Sequence, residues 1–436
     1  MRVTLKISLE NPSIIKQQLL LWSQQYHEVV WLDSNDYHAH TSDFDAILAV
    51  EAFTLLQTDV VHGFQKLNEY QQTTKDWIFG YLSYDLKNDV EDLISQNHDG
   101  LDFPELYFFQ PKKIFLLKGD ELEIQYLSMV DDELQDDIQA ILNTEIDLEV
   151  FTYEESNKEH RPKIKLRIHK DEYHEKVTKM LDHIHRGDIY EANFCQEFYA
   201  ENAEIDPLST YTHLNSISKP PFATYMRLSD KYILSASPER YIKKKGTKII
   251  SQPIKGTAKR SEDPEEDKQM AENLQTDQKE RAENVMIVDL VRNDLSKTAI
   301  KGSVKVEELC KIYTFDQVHQ MISTVTSEVS DTQNPVEIIQ TTFPMGSMTG
   351  APKISAMQII EDLEETKRGI YSGAIGYFTP NNDFDFNVVI RSILYNSRKK
   401  YVSYSVGGAI TAKSIPEKEY EECLIKAKAM REVLEK

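Results

Sequence analysis

Cysteine is scarce. Cys195, Cys310 and Cys423 are the only three in 436 residues, and they stand far apart with no CxxC pair. This excludes a disulfide framework and a cysteine-based structural zinc site, and it fits a reducing compartment, the cytoplasm. Long hydrophobic runs are also missing. Nowhere do about 18 apolar residues follow one another, and the opening MRVTLKISLENPSIIKQQLLLW has no uninterrupted apolar stretch and no small-residue cleavage site. Neither a membrane span nor a secretory leader is expected. Basic charge falls short too: 50 Lys and Arg stand against 72 Asp and Glu, a net charge of -22. Such a field repels polyanions, so nucleic acid and anionic membrane surfaces are not expected partners. A small anion is held only where a local basic pocket or a bound cation overrides that field.

The chain has the length and the apolar share, 40%, to bury a large core as one big domain or two smaller ones. No fixed-period repeat or low-complexity tract interrupts it. Residues 130–159 are acidic and lack apolar periodicity, and Lys158 to Lys170 is basic with alternating Ile and Leu. This shift places a boundary near residue 155, between an N-terminal scaffold (1–155) and a region carrying the chemistry (156–436). HEVVWLDS and DWIFGYLSYDL read as strands among helices in the first part. Beyond residue 165 the pattern is α+β. KYILSASPERYIKKKGTKIISQPIKGT reads as antiparallel strands broken at Ser-Pro and Gly turns. From Ser261 to Leu295, Met286, Leu290, Ile287 and Val291 follow helical spacing. FPMGSMTGAPK is a Gly/Pro loop, and IYSGAIGYFTP, FNVVIRSILY and KYVSYSVGGAI are strands. A last helix starts near Pro416 with an apolar stripe of Tyr420, Leu424, Ala427, Met430 and Leu434.

Several residues in these segments have an ordinary reading and a chemical one. Glu422 and Lys426, four apart on a helix, have the spacing of a surface ion pair. Glu283 near a helix start favours the helix dipole. Glu239, in SASPER, reads as a turn residue beside Arg240. Lys255, in QPIKGT, lies where a strand end meets a permissive glycine, so its amine can project into a cleft. Gly346 and Gly350 free backbone N–H groups to approach an anion, without the spacing of a P-loop.

Taken together and in order, GDIYEANFCQEF, SPER, PIKGT, DQKERAENVMIVDLVRNDL, FPMGSMTGAPK, YSGAIGYF, VVIRS, VGGAI and EYEECLIKAK resemble the chorismate-utilizing enzyme family, from about residue 165 to the end. The resemblance implies an α+β fold of two large, mostly antiparallel sheets with flanking helices and an active site in the cleft between them. It implies Mg2+, with Glu283 and Glu422 matching the carboxylates that hold it against the ring carboxylate of chorismate. Such a cation takes one or two protein carboxylates and leaves its other positions to water and substrate. Arg391 and Tyr371 match residues that hold the enolpyruvyl carboxylate. Lys426 matches a lysine beside the metal, His319 and Thr349 match pocket residues, and the backbone around Gly407 and Gly408 faces the ring carboxylate. Ala409 departs from the glycine usual at its position and keeps the backbone donor.

Family members share this pocket and differ in the nucleophile. Glu239 matches the general acid on the departing 4-hydroxyl. In members with PIKGT the lysine, here Lys255, resembles a nucleophile that attacks ring C2, after which ammonia enters at C4. Anthranilate synthases, the alternative, typically carry alanine there and let ammonia attack C2. Asn193, and Ser347 with Thr349, also lean toward the aminodeoxychorismate synthase branch. Glu191 stands where isochorismate and salicylate synthases carry a water-activating lysine, and where glutamine is usual otherwise. The expected product is 4-amino-4-deoxychorismate, on the way to 4-aminobenzoate and folate. A catalytically inactive chorismate-binding homologue is the third reading, opposed by the complete set of acid, lysine and metal carboxylates. No glutaminase constellation surrounds the cysteines, so the resemblance implies ammonia from a separate glutamine amidotransferase subunit, and no fused lyase domain is expected. WLDSN, residues 31–35, loosely resembles the region where tryptophan binds in this family.

Overall fold

The computed structural model describes residues 1–37, 43–146, 150 and 161–435. Its twenty strands form one hydrogen-bonded network in which every ladder is antiparallel. Two sheets can be traced through it, and they meet in two long strands, Ala46–Thr58 and Leu106–Lys118. Residues 46–50 pair with Glu28–Asp33 and residues 113–118 with Glu121–Leu127, in the first sheet. Residues 106–109 pair instead with Ile78–Leu82, in the second. Between these halves the register slips from Ala52 to Thr54, Pro111 faces Ala52, and Glu51 takes a φ of 62°. A bulge bends a strand, and proline removes a ladder donor at the bend. The α+β fold of two sheets is therefore present, with the sheets joined through shared strands.

The first sheet runs from Glu28–Asp33 through Phe222–Leu228, Lys231–Ser237, Ser392–Asn396 and Tyr401–Thr411 to Glu191–Ala200. The second runs from Ile78–Leu82 through Ala374–Phe378, Phe384–Val388, Arg240–Lys245 and Lys248–Gln252 to Val318–Glu328, which also pairs with Ile254–Lys259. The chain steps between the sheets after Ser237 and after Val388. Glu239 and Arg391 occupy those two short crossings. The boundary expected near residue 155 lies outside the described residues, and strands from either side of it pair with one another.

Two helices cover the sheets where the site forms. The charged 261–295 stretch divides into helices Pro264–Thr276 and Gln278–Ser296, because Asp277 is extended and its carboxylate accepts the N–H groups of Lys279 and Glu280 at 2.8 and 3.0 Å. The second helix buries Ile287, Val288, Val291 and Leu295 against Val325 and Ile249 of the second sheet. Helix Pro416–Glu435 buries Cys423, Ala427, Met430, Val433 and Leu434 against Tyr404 and Val406 of the first. Each large aliphatic side chain so buried contributes about 1.5–3 kcal/mol. Leu424, expected in that stripe, is 37% exposed, and Cys423 takes its place. No helix among the described residues is long and apolar enough to cross a membrane.

Candidate active site

Lys255 owes its position to an irregularity. Strand Ile254–Lys259 pairs Ile254 with Ile322 but Thr257 with Gln320, so one extra residue bulges out of the ladder. Gly256 takes a φ of 93° there, and a Cβ on it would come within 3.2 Å of Glu280 and Leu274. Only glycine fits both the angle and the space. The half-buried Lys255 beside it is the cation that the carboxyls of Glu191, Glu239, Glu280, Glu283 and Glu422 all feel.

Two of those carboxyls are strongly perturbed. Burial pushes Glu239 up to about 7, against a hydrogen bond with Ser347 and the nearby Lys255 ammonium. Burial also pushes Glu283 up to about 7, opposed by Lys255 and Lys279 and reinforced by Glu280 and Glu191. Glu283 Oε1 is buried without a hydrogen-bond partner, and the nearest ammonium, Lys279, is 3.8 Å away. An acid protonated near neutrality beside an amine is what displacement of a hydroxyl by a nitrogen nucleophile requires.

Facing this pair, the C-terminal helix and strand Tyr401–Thr411 form a cradle. Lys426 Nζ donates to Glu422 Oε1 at 2.7 Å and to the Gly407 carbonyl at 2.8 Å. Burial works to raise Glu422, yet Lys426 holds it below the usual carboxylate range. The two glycines serve different ends. A Cβ on Gly407 would strike the Phe194 carbonyl at 2.5 Å, so it allows the strands to approach. A Cβ on Gly408 would point at Glu419, Glu422 and Lys426, 3.5 to 3.7 Å off, so its absence leaves space in front of those groups. Among the described residues no three or more His, Cys, Asp or Glu side chains form a metal cage. Lys279 feels both Glu283 and Glu422, so the two carboxylates stand on the same side of the site, and Oε1 of Glu283 is left without a hydrogen-bond partner, a donor of the type a hard cation takes.

Arg391 closes the other end. It adopts φ 53°, a conformation that costs a non-glycine residue on the order of 1–3 kcal/mol. No hydrogen bond or ion pair satisfies its guanidinium among the described residues. Burial lowers its pKa below the ordinary range, while Tyr371 and Glu422 oppose the shift. Tyr371 is 4% exposed, with its hydroxyl pushed well up by burial and by Cys195.

The other expected pocket residues are held by the protein. Asn193 sends its side-chain amide to the Met348 sulfur at 3.7 Å, and its N–H donates to the Thr349 carbonyl at 2.7 Å. The Thr349 hydroxyl turns back to the Gly346 carbonyl at 3.2 Å. His319 engages both ring nitrogens, with Thr314 and with Asp267 at 3.0 Å each, which ties it to helix Pro264–Thr276. Among the described residues neither ring nitrogen of His319 reaches Lys255 or Glu239.

This geometry accords with a match of residues 20–432 to the model of the chorismate binding enzyme family. The chain belongs to that family. Within the chorismate binding enzymes it is 33% identical over 390 residues to aminodeoxychorismate synthase component 1 of Bacillus subtilis, covering 88% of this chain and 80% of that protein. It is 39% identical to the Escherichia coli protein of the same name over 61% of this chain and 58% of that one. It is 32% identical to anthranilate synthase component 1 of Thermus thermophilus, covering 82% and 77%. The fold matches the crystal structure of anthranilate synthase component I from Streptococcus pneumoniae with a TM-score of 0.75 at 24% identity, over 88% of this chain and 91% of that one.

Two residues of this chorismate binding enzyme had no reading in the sequence that matches their place. Arg368, three residues before Tyr371, donates to both carboxylate oxygens of Glu364 at 2.7 and 2.9 Å and to the carbonyls of Met348 and Asn193 at 2.7 Å each. It also lies 4.5 Å over the Tyr84 ring. Glu364 in turn accepts the Cys195 N–H at 2.9 Å. Glu191, noted only as a departure, is 2% exposed with Oε2 unpartnered. Burial raises it, against Lys255. A charged residue among apolar or glycine neighbours, as in TKRGIYSG, is the signal that points to Arg368. Trp31, Asp33 and Asn35 line a separate cavity of about 470 Å3, where Lys16 Nζ donates to Asp33 and Asp36 at 3.0 and 2.8 Å.

Proposed function

We propose that this protein is a transferase that aminates chorismate to 4-amino-4-deoxychorismate, as component I of an aminodeoxychorismate synthase, with ammonia released from glutamine by a partner subunit. The observation that carries this reading is Lys255 on its glycine bulge beside the buried, protonatable Glu239. Identity alone separates the branches poorly, 33% against 32%. The residue at 255 separates them, because anthranilate synthases typically have no lysine there.

Arg391 and Tyr371 bind the enolpyruvyl carboxylate, and the unsatisfied guanidinium supports that role. Glu283 and Glu422 would hold Mg2+, which would supply positive charge against the ring carboxylate, and Lys426, bonded to Glu422 and to the Gly407 carbonyl, orients Glu422. The Lys255 amine forms a bond to C2, both ring double bonds shift toward C4, and the C4–O bond breaks as Glu239 gives its proton to the departing oxygen, which leaves as water. Ammonia then bonds to C4, both double bonds shift back, the C2–N bond breaks to free Lys255, and the proton lost by the new ammonium restores Glu239. The amine must be neutral to attack, and a dry, carboxylate-lined site permits the proton exchange this needs. Three free, buried cysteines support a reducing compartment such as the cytoplasm.

The test is product identification by chromatography with mass and fluorescence detection, on purified protein with chorismate, Mg2+ and ammonium salt at mildly alkaline pH. The expected result is 4-aminobenzoate only when a lyase is added. Anthranilate without the lyase rejects the reading. Lys255→Ala is expected to lower 4-amination at least about 1000-fold, in line with loss of a covalent nucleophile.

A further inference from the structure

Glu191 opens strand Glu191–Ala200, and the pleat of that strand decides where its side chain goes. Ala192 and Phe194 turn into the core that also takes helix Pro416–Glu435. Glu191, Asn193 and Cys195 therefore turn the other way, toward the second sheet, whose core includes Cys195. Ladders on both sides fix this end of the strand, since Glu191 pairs with Thr411 and with Ala351. Gly350 packs so tightly against it that a Cβ there would sit 2.2 Å from the Glu191 carbonyl.

The backbone is held, but one carboxylate oxygen is not. Glu191 is 2% exposed, and its Oε2 is buried with no hydrogen-bond partner. Burial raises its pKa, and the Lys255 ammonium works against that rise. Glu283, on helix Gln278–Ser296, faces it with a charge of the same sign. A buried carboxylate in this setting costs free energy that a proton removes. The other carboxyls that feel Lys255 are less suited to take one. Glu239 must keep its own proton for the departing hydroxyl. Glu283 and Glu422 would hold Mg2+, and Glu422 is bound to Lys426 at 2.7 Å. Glu280 is only half-buried, so water already solvates its charge.

We propose that Glu191 is the proton acceptor for Lys255: it takes one proton from the ammonium before attack, keeps it while the amine is bonded to C2, and returns it when the amine is freed. Among the described residues no hydrogen bond joins the two side chains, so the proton crosses through one water or by a turn of the flexible lysine stem. The balance closes over the cycle. The lone pair of the neutral amine makes the C2–N bond and leaves the nitrogen as a secondary ammonium. When C2–N breaks, that pair returns to nitrogen and the amine departs neutral. It then regains the proton stored on Glu191, while the new ammonium at C4 restores Glu239. No proton is drawn from bulk water, and a dry site favours exchanging a separated ammonium and carboxylate for two neutral groups.

The inference rests on the proposed amination, and the two fail differently. If the wild-type protein makes no 4-amino product from chorismate and ammonium salt, both fall. If it does, Glu191 is tested alone. The test divides kcat/KM for chorismate of Glu191→Gln by that of wild type, from neutral to alkaline pH with Mg2+ and saturating free ammonia, so that the Glu239 limb cancels. The ratio is expected at about 1 in 100 near pH 7 and to climb about tenfold per pH unit, because the amine of the variant must lose its proton to bulk water. Glu191→Met, of similar size and equally without an acceptor, is expected to give the same profile and is read in its place if the first variant does not fold. Glu191→Asp keeps a carboxyl, and its ratio is expected to stay above about 1 in 10 and flat with pH. A ratio above about 1 in 3 for the variants without a carboxyl overturns the proposal, and so does a low ratio that stays flat with pH, which is what lost packing alone produces. An aspartate variant no better than the glutamine one overturns it as well.

Discussion

Arg368 and Arg391 lie 23 positions apart on the chain (391 − 368), the first buried and the second half-buried. Arg368 is fully occupied: a bidentate carboxylate, two carbonyls and an aromatic ring surround it. Arg391 has none of these. The same contrast divides the carboxylates, since Glu364 accepts from Arg368 and the Cys195 N–H while Glu283 keeps an unpartnered oxygen. A charge enclosed with its partners holds the fold. A charge held without them costs the empty protein free energy, and under the proposed function a ligand completes it.

The sharpest way to break this comparison is at Glu239. Glu239→Gln is expected to lower kcat by about 100- to 10,000-fold, the range for loss of a general acid. The wild-type rate falls as pH rises through about 7, because only the protonated acid donates. The stability contribution falls over the same rise in pH, so the substitution that costs rate adds stability at high pH. A folded-state pKa above the unfolded one means that stability is lost as pH climbs from about 4.5 to about 7 and stays lost above, worth about 3 kcal/mol at most. Thermal melts should therefore show the Gln variant more stable than wild type at pH 8 and no better at pH 4. Next in size, Arg368→Leu leaves Glu364 buried and uncompensated, and urea unfolding should show a loss of about 3–5 kcal/mol. Arg391→Gln inverts that pattern: the KM for chorismate rises about 10- to 100-fold with Tm unchanged or higher, the worth of one charge-assisted contact. Magnesium sharpens the carboxylate half. At about 100 times its Kd it should stabilise wild type by about 2.7 kcal/mol in thermal shift, and Glu283→Gln not at all. Smallest is Leu424→Lys, on the exposed side of the last helix, expected within about 0.5 kcal/mol of wild type.

Much of the site was legible in the sequence because its parts lie in short, ordered blocks. The Glu422–Lys426 pair forms at the spacing those blocks show, and Glu239 after Ser-Pro comes near Lys255 beside its glycine. The two-sheet α+β fold was legible as well. What a linear pattern could not carry was partnership. Nothing in TKRGIYSG says that Arg368 reaches Met348 and Asn193, because those contacts close over long separations. The His319 ring is engaged by an aspartate 52 residues away. The break at Asp277 was hidden because the charged residues on both sides favour helix, and only the cap decides where one helix ends and the next begins. Leu424 faces outward where the apolar stripe predicts it inward, because Cys423, small and weakly apolar, is the inward residue of that turn.

The shared strands have a consequence for how the molecule is made. Strand Ile78–Leu82 bonds Leu106–Lys118 on one side and Ala374–Phe378 on the other. During synthesis the first pairing is available early, but the second waits until most of the chain has left the ribosome. Until then an entirely buried native strand carries a bare, apolar edge, the kind of edge that recruits other chains. The crossings that hold Glu239 and Arg391 are completed by the same late segments. The enzyme therefore becomes competent only near the end of its own translation, and its early life depends on whatever shields that edge.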